Sequence, residues 1–526
     1  MMRGFARFSL CGVAAVLGAV LMSPAHAQES VVDIAIAADA PGPVIDRNVF
    51  GQFAEHLGSG IHGGIWVGKT SPIPNVRGIR SDVVAALRAI HVPNVRWPGG
   101  CFADEYHWRD GVGPADKRRV QINSNWGGVA EDNAFGTDEF MDFAGQIGAD
   151  AYVSVNVGSG TPEEAAAWLE YMTAPAATTL ARERAANGHA APYRVPLLGL
   201  GNENWGCGGA MSPDHYVEEM KRFAHYVHND NPAQRGTDAM KRIAVGWDAG
   251  KSDYTEAVMK AWADKVYSWD IEGVSLHNYT VGGWPPHLPA TGFGLDDYAT
   301  VIGETYTMDT LITRQSALMD RYDPQAKVFL AVDEWGAWLA PTPGTNPGFL
   351  MQQNSLRDAI LAAVNLNIFA RHAARVKVAN IAQMINVLQA MILTDGAKLV
   401  LTPTYHVYHL YVPFQGATVL PVTYDAGHYV HGKTTLPRLD AIAARDRDGH
   451  VWLSLVNVDP EHGTRVHLPK AHAATGHVLT AAAVDAVNTF ANPAAVTPRA
   501  ITAHGDANGL ILNVPPHSVM VVRIDP

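Results

Sequence analysis

Two stretches of this chain combine residue types that could do chemistry: Gly199-Leu200-Gly201-Asn202-Glu203-Asn204 and Phe329-Leu330-Ala331-Val332-Asp333-Glu334-Trp335. In each, an acidic side chain follows an apolar, strand-like run. Two carboxylates aimed from strand ends into one cleft suit cleavage of a glycosidic bond. One protonates the leaving oxygen while the other attacks the sugar or activates water. Glycines at 199 and 201 let the backbone turn sharply close to a ligand. The Asn202 amide can hydrogen-bond a sugar hydroxyl, and Trp205 offers a flat face for a sugar ring. Asp333 is a rival for the second acidic role. Neighbours on a strand point to opposite faces, so only one of the pair is expected in the cleft, and Glu334 is the choice.

Further candidates surround these two. Asn94-Val95-Arg96-Trp97-Pro98-Gly99-Gly100-Cys101-Phe102 reads as another strand with a sharp exit. Arg96 there either pairs with a catalytic carboxylate and lowers its pKa or makes a structural salt bridge. Residues 103–114, with Asp104, Glu105, His107, Trp108, Arg109 and Asp110, fit a cleft wall or a packed loop equally by spacing. His277-Asn278-Tyr279 could hold the oxygens of a nucleophile and of the sugar. Glu55, beside His56, could bind two hydroxyls of one sugar. A catalytic metal is not expected: the 23 histidines include His56, His62, His107 and His277, but none forms His-Glu-x-x-His. No Gly-x-Ser-x-Gly elbow supports a serine nucleophile.

The elements that must position these residues alternate between strand and helix. Apolar, β-branched runs are expected as strands over 49–53, 94–97, 151–157, 196–201, 243–247, 273–277, 328–332 and 378–384. Helices are expected between them, over 81–90, 137–147, 163–172, 214–229 and 356–372, with Ser81 and Thr137 as caps and Pro162 and Pro213 as openers. Eight such units read as a (β/α)8 TIM barrel with its chemistry at the C-terminal strand ends. The doubly wound sheet is the rival, but no Gly-rich nucleotide fingerprint accompanies it. After about residue 398, short strands over 451–457, 475–482, 509–514 and 519–524 suggest an all-β sandwich. Residues 31–37 also read as a strand and could join that sheet. The expected division is 1–27 leader, 28–48 N-terminal strand segment, 49–397 barrel and 398–526 sandwich.

Composition bounds the function class. The chain has 526 residues, 47% of them hydrophobic, with 17% charged and a formal net charge of -12. That is enough for more than one domain. It lacks the clustered cations of a nucleic-acid binder. Arg3 and Arg7, the apolar run 10–22 and Ala25-His26-Ala27 read as a secretory signal cleaved after Ala27, so export to the periplasm or beyond is expected. The run is too short for a membrane span, and no membrane association is expected after its removal. Cys11 would leave with the leader. Cys101 and Cys207 remain, and either a bridge or two free thiols fits the sequence.

Taken in order, six blocks resemble the α-L-arabinofuranosidases of glycoside hydrolase family 51. They are residues 50–58, 94–114, 201–205, Ser275-Leu276-His277-Asn278-Tyr279, Asp333-Glu334-Trp335 and 379–407. The resemblance spans the barrel and extends to the C-terminal sandwich. It implies a retaining exo-acting enzyme on arabinan, arabinoxylan or their oligosaccharides, with no cofactor. It implies Glu203 as general acid/base and Glu334 as nucleophile. Glu55, Asn202, His277, Tyr279 and Gln383 match positions that bind the arabinosyl unit or steady the carboxylates, and Trp338 matches an aromatic lining the site. Cys101 stands where other members carry Asn, which puts the usual contact there in doubt. The resemblance also implies a homo-oligomer. Alternatives are an endo-glucanase or β-xylosidase using the same machinery, or a carbohydrate-binding protein without catalysis.

Overall fold

Eight parallel strands close into a barrel in a computed structural model of the chain, which describes residues 31–525 except 176 and 248–251. The leader expected over 1–27 lies outside the described residues. The barrel strands are β1 (Gly51–Phe53), β2 (Asn94–Trp97), β3 (Asp150–Val155), β4 (Leu197–Leu200), β5 (Lys241–Ala244), β6 (Gly273–Thr280), β7 (Phe329–Ala337) and β8 (Val376–Ile381). Each pairs with the next, and β8 closes on β1. Every residue of β2, β4 and β7 is buried, because helices cover the outside while side chains fill the inside. Tyr152, Leu197, Ile243, Phe329, Ala331 and Val378 form that inner plug. On β7 the plug residues precede Glu334, so the plug lies on the N-terminal side of the candidate site.

The helices follow the expected spans closely, but two caps differ. Ser81 and Thr137 are the first helical residues; the caps are Arg80 and Gly136. Thr137 Oγ1 instead accepts from buried Trp168 Nε1 at 3.0 Å, and the Glu139 carboxylate accepts from Gly136 N at 3.0 Å. A tertiary partner took the hydroxyl that local pattern assigned to capping. The prolines behave as expected: Pro162 follows the cap Thr161 and Pro213 follows the cap Ser212, each cap accepting a backbone N–H of the first turn.

The C-terminal part is an antiparallel six-stranded sheet facing a three-stranded one. The N-terminal strand Val31–Asp33 joins the smaller sheet, running parallel to Thr464–Leu468. Val32, Ile34, Leu455, Leu512 and Val522 are buried together between the sheets. The division expected at 397/398 falls in the turn of a hairpin, Ile392–Asp395 with Lys398–Leu401. Helix Leu356–Arg371 is buried over all but its last residue because it packs between barrel and sandwich. Its Asn367 and Arg371 both donate to Asp440 of the large sheet, at 2.7 to 3.0 Å. Among the described residues no helix is long and apolar enough to cross a membrane.

Candidate active site

Glu334 lies within β7 rather than beyond it. Register slips between Val332 and Trp335 on β7, and between Ser275 and His277 on β6, break the alternation of faces. Asp333 and Glu334 both reach the same cation. Arg96, on β2, is buried over the Phe53 ring. Its Nη1 donates to Glu334 Oε1 at 2.7 Å, its Nε lies 3.5 Å from Asp333 Oδ2, and its Nη2 donates to Asn202 Oδ1. Tyr279 OH donates to Glu334 Oε2 at 2.9 Å, and Tyr152 OH donates to Asp333 Oδ2 at 2.6 Å. Burial alone would raise the Asp333 pKa, but Arg96 and His277 hold it below the usual range. Only Glu334 of this pair lines the cavity.

His277 joins the acidic residues. Its Nδ1 is 2.9 Å from Glu203 Oε1 and 3.5 Å from Glu334 Oε2, and its Nε2 is 3.1 Å from Asp333 Oδ1. Burial would lower its pKa, but the Glu334 and Asp333 charges outweigh that and lift it to about 10. The surrounding carboxylates therefore favour the protonated ring, whose Nδ1 is hydrogen-bonded to Glu203 and whose Nε2 is in ion-pair range of Asp333. Burial raises the Glu203 carboxyl, and the Glu334 charge adds to it while the His277 contact opposes it. Carboxyl oxygens of Glu203 and Glu334 and a nitrogen of His277 lie within 4.8 Å of one another. The two carboxyl groups therefore share one site, close enough to act on a single glycosidic bond.

A second layer surrounds Glu55, which is buried at the end of β1. Its Oε1 accepts from Phe102 N at 3.0 Å and Trp126 Nε1 at 2.8 Å, and its Oε2 accepts from Gln383 Nε2 at 2.9 Å. Burial, then the Glu334 charge, pushes its carboxyl up to about 7. Trp126 sits in a hairpin, Gln121–Asn123 with Val129–Glu131, that the sequence reading missed. Its one signal was Trp126 followed by Gly127-Gly128 in a polar stretch. Glu131 fastens the hairpin: its carboxylate lies 3.0 Å from His56 Nδ1 and 3.0 Å from His62 Nε2. Trp97 Nε1 donates to His56 Nε2 at 3.1 Å, so the His56 ring carries its proton on Nδ1, toward Glu131.

The cavity above these carboxylates measures about 520 Å³. Glu55, Cys101, Glu203, His277, Tyr279, Glu334, Trp338 and Gln383 line it, but Asn202 does not. Asn202 is buried beneath, held by Arg96. Aromatic rings form the rim. Trp205 stacks on Trp247 with centroids 4.3 Å apart, and Trp284 packs edge-on against Trp338 at 5.5 Å. Cys101 is bonded to Cys207, so its sulfur has no proton to donate to a sugar. None of the polar segment 103–114 lines the cavity. Phe102, Tyr106 and Trp108 are buried, which makes it a packed loop.

A TIM barrel with paired carboxylates at its C-terminal strand ends, under an aromatic-rimmed pocket, defines a glycoside hydrolase. The chain matches the model of the alpha-L-arabinofuranosidase 1 domain over residues 86–277 and that of the alpha-L-arabinofuranosidase C-terminal domain over 333–518. The second match begins inside β7, so the boundary in sequence is not the boundary in space. An intracellular exo-alpha-L-arabinofuranosidase of Bacteroides ovatus is 42% identical over 473 residues, 88% of this chain and 90% of that protein. The crystal structure of the GH51 arabinofuranosidase from Xanthomonas axonopodis pv. citri is 50% identical, with a TM-score of 0.90 over 94% of this chain and 100% of that one. An arabinose complex of the Thermotoga maritima α-L-arabinofuranosidase is 31% identical, with a TM-score of 0.81 over 94% of this chain and 100% of that one. The chain belongs to the α-L-arabinofuranosidases of glycoside hydrolase family 51.

The same comparison corrects one expectation. The Bacteroides ovatus relative is named as intracellular, which overturns the export read from residues 3–27. Positive residues, an apolar run and small residues match a leader by composition, and composition does not record whether a segment is translocated.

Proposed function

We propose that this glycoside hydrolase releases terminal arabinofuranosyl residues from arabinan, arabinoxylan or their oligosaccharides, with retention, in the breakdown of hemicellulose. Glu334 is the nucleophile and Glu203 the general acid/base. The observation that carries the reading is the pair of carboxyl groups meeting at one histidine nitrogen beneath one cavity. In the first step Glu334 attacks the anomeric carbon while Glu203 gives its proton to the leaving oxygen. Burial and the Glu334 charge keep that proton on Glu203 at rest. Once Glu334 is esterified its charge is gone, so Glu203 ionises readily and takes a proton from the attacking water. Arg96 and Tyr279 orient Glu334 through one oxygen each. Glu55, steadied by Gln383 and Trp126, faces the sugar hydroxyls, and Trp338 stacks at the wall. Asn202 acts through Arg96 rather than from the cavity surface.

A homo-oligomer belongs to the same proposal. Tyr226, Val266 and Tyr267, 55 to 83% exposed, line one open groove on the outer helices, a surface that a second copy would cover. Light scattering after size exclusion decides it. The activity is tested with p-nitrophenyl α-L-arabinofuranoside beside the xyloside and cellulosic substrates, following product anomers by NMR. Fast release of α-arabinose from the first alone is expected; preferred turnover of xyloside or cellulose, or a first-formed β-anomer, would defeat the reading.

A further inference from the structure

Glu203 sits on a loop closed by its own turns, with Gly206 N and Gly208 N donating to Glu203 O at 2.7 and 3.1 Å, yet its backbone lies in an unfavourable region. Its φ is 42°, in the left-handed region, and Gly201 at 88°, Gly209 at 125° and Ala210 at 50° share that region. A non-glycine residue there costs about 1–3 kcal/mol and persists only where surroundings hold it. Beyond the loop's own hydrogen bonds, it is braced by the short segment Cys101–Asp104 at the end of β2. Asp104 Oδ2 accepts from Asn202 N at 2.8 Å, and its Oδ1 accepts from Val157 N at 2.8 Å and Gly158 N at 2.7 Å. One buried carboxylate thereby ties the exits of β2, β3 and β4. The fit is close: a Cβ at Gly208 would fall 1.9 Å from Asn202 O and 2.5 Å from Asp104 Oδ2. At the other end of the segment Cys101 is bonded to Cys207, across the loop from Glu203. Cys207 Sγ lies 3.8 Å from Glu203 Oε2 and 3.8 Å from Asn202 Nδ2. With His277 N–H on Oε1, Oε2 is the oxygen that carries the transferable proton.

We propose that Cys101–Asp104 is a strap that positions the acid/base Glu203, and that its Cys101–Cys207 bond makes proton transfer to the leaving group responsive to dithiols. This rests on the reading of Glu203 given above. Cys207 is exposed and Cys101 lines the cavity, so a small dithiol reaches the bond. One thiolate of the dithiol attacks a protein sulfur, the S–S bond breaks, and a mixed disulfide forms. The second thiol then displaces the protein sulfur. The cystine gains two electrons and two protons, and the dithiol leaves as its cyclic disulfide. Released from the strap, Glu203 no longer meets the leaving oxygen in register. Glu334, inside β7, stays in place.

The test compares an arabino-oligosaccharide, whose leaving group needs protonation, with 2,4-dinitrophenyl α-L-arabinofuranoside, whose leaving group does not. Dithiothreitol treatment, with thiol titration showing two more free thiols than before it, is expected to lower kcat/KM on the oligosaccharide by about 10-fold or more and on the dinitrophenyl substrate by less than about 2-fold. Reoxidation restores the first value. The Cys207→Ser variant should show the reduced enzyme's ratio and ignore dithiothreitol. Should that variant fail to fold, the reversible reduction of the unmodified enzyme decides. Equal responses of the two substrates, or none once two additional thiols titrate, overturn the strap alone. No turnover of either arabinofuranoside by the oxidised enzyme overturns the functional reading and the strap together.

Discussion

Glu334 and Glu203 meet at one histidine but are held by unlike means. Glu334 belongs to a barrel strand, buried, with a guanidinium and a phenol on its two oxygens. Glu203 belongs to a loop beyond β4, at positive φ, braced by a distant carboxylate and a disulfide. A nucleophile needs one geometry throughout, and a strand inside a charge network supplies it. An acid/base exchanges a proton twice and meets variable leaving groups, and a braced loop leaves its setting open to adjustment. Charge secures the first carboxylate, and covalent and backbone contacts secure the second.

The comparison breaks most sharply at Glu334, the proposed nucleophile. Glu334→Ala should lower turnover on every substrate by at least about 10⁴-fold, because no other group can form the ester. Azide should rescue it with inverted product; ordinary turnover without azide would remove Glu334 from the role. Glu203→Gln should reduce kcat on arabino-oligosaccharides by about 10²- to 10⁴-fold. Its loss on a dinitrophenyl substrate should be far smaller, and equal losses would erase the proposed division of labour. Arg96→Met leaves Asp333 and Glu334 buried without their cation. It should destabilise the fold by about 3–5 kcal/mol in a urea titration. The strap offers no equivalent charge to lose.

A pH series sharpens the contrast further. His277 has its pKa raised from 6.5 to about 10 in the folded protein. The folded state holds that proton more tightly than the unfolded one, so its contribution to stability is complete below pH 6.5 and fades as pH rises toward 10. The gap in Tm between the native protein and His277→Gln should therefore be widest near pH 6 and shrink with rising pH. A gap that grew would reverse the assigned charge. The smallest effect is expected at the rim. Trp284, 72% exposed, should when changed to Ala raise KM for oligosaccharides a few-fold, about 1 kcal/mol, and leave aryl substrates unchanged.

The barrel was legible because each strand is an apolar run long enough to be buried on both faces, and each intervening helix carries its own stripe. The two glutamates stood out because each accompanies such a run near the C-terminal end of a strand, where a barrel opens to solvent. What escaped were features depending on a partner far away in the chain. That Asp333 shares the Arg96 cation with Glu334 was not legible, because register slips on β6 and β7 are set by neighbouring strands. Trp126 was missed because its two-stranded hairpin is short and makes sense only against Glu55. Asp104 lay in a segment that spacing left undecided between cleft wall and packed loop.

Residue order alone therefore carried the strand–helix rhythm, the class of chemistry and the family, since these are local patterns of polarity and a few short motifs. Folding decided that Asp333 shares the cation of Glu334, that Asn202 lies beneath the cavity and that Cys101 is bonded to Cys207. Those outcomes turn on distances between residues about a hundred or more positions apart, and such distances exist only once the barrel has closed.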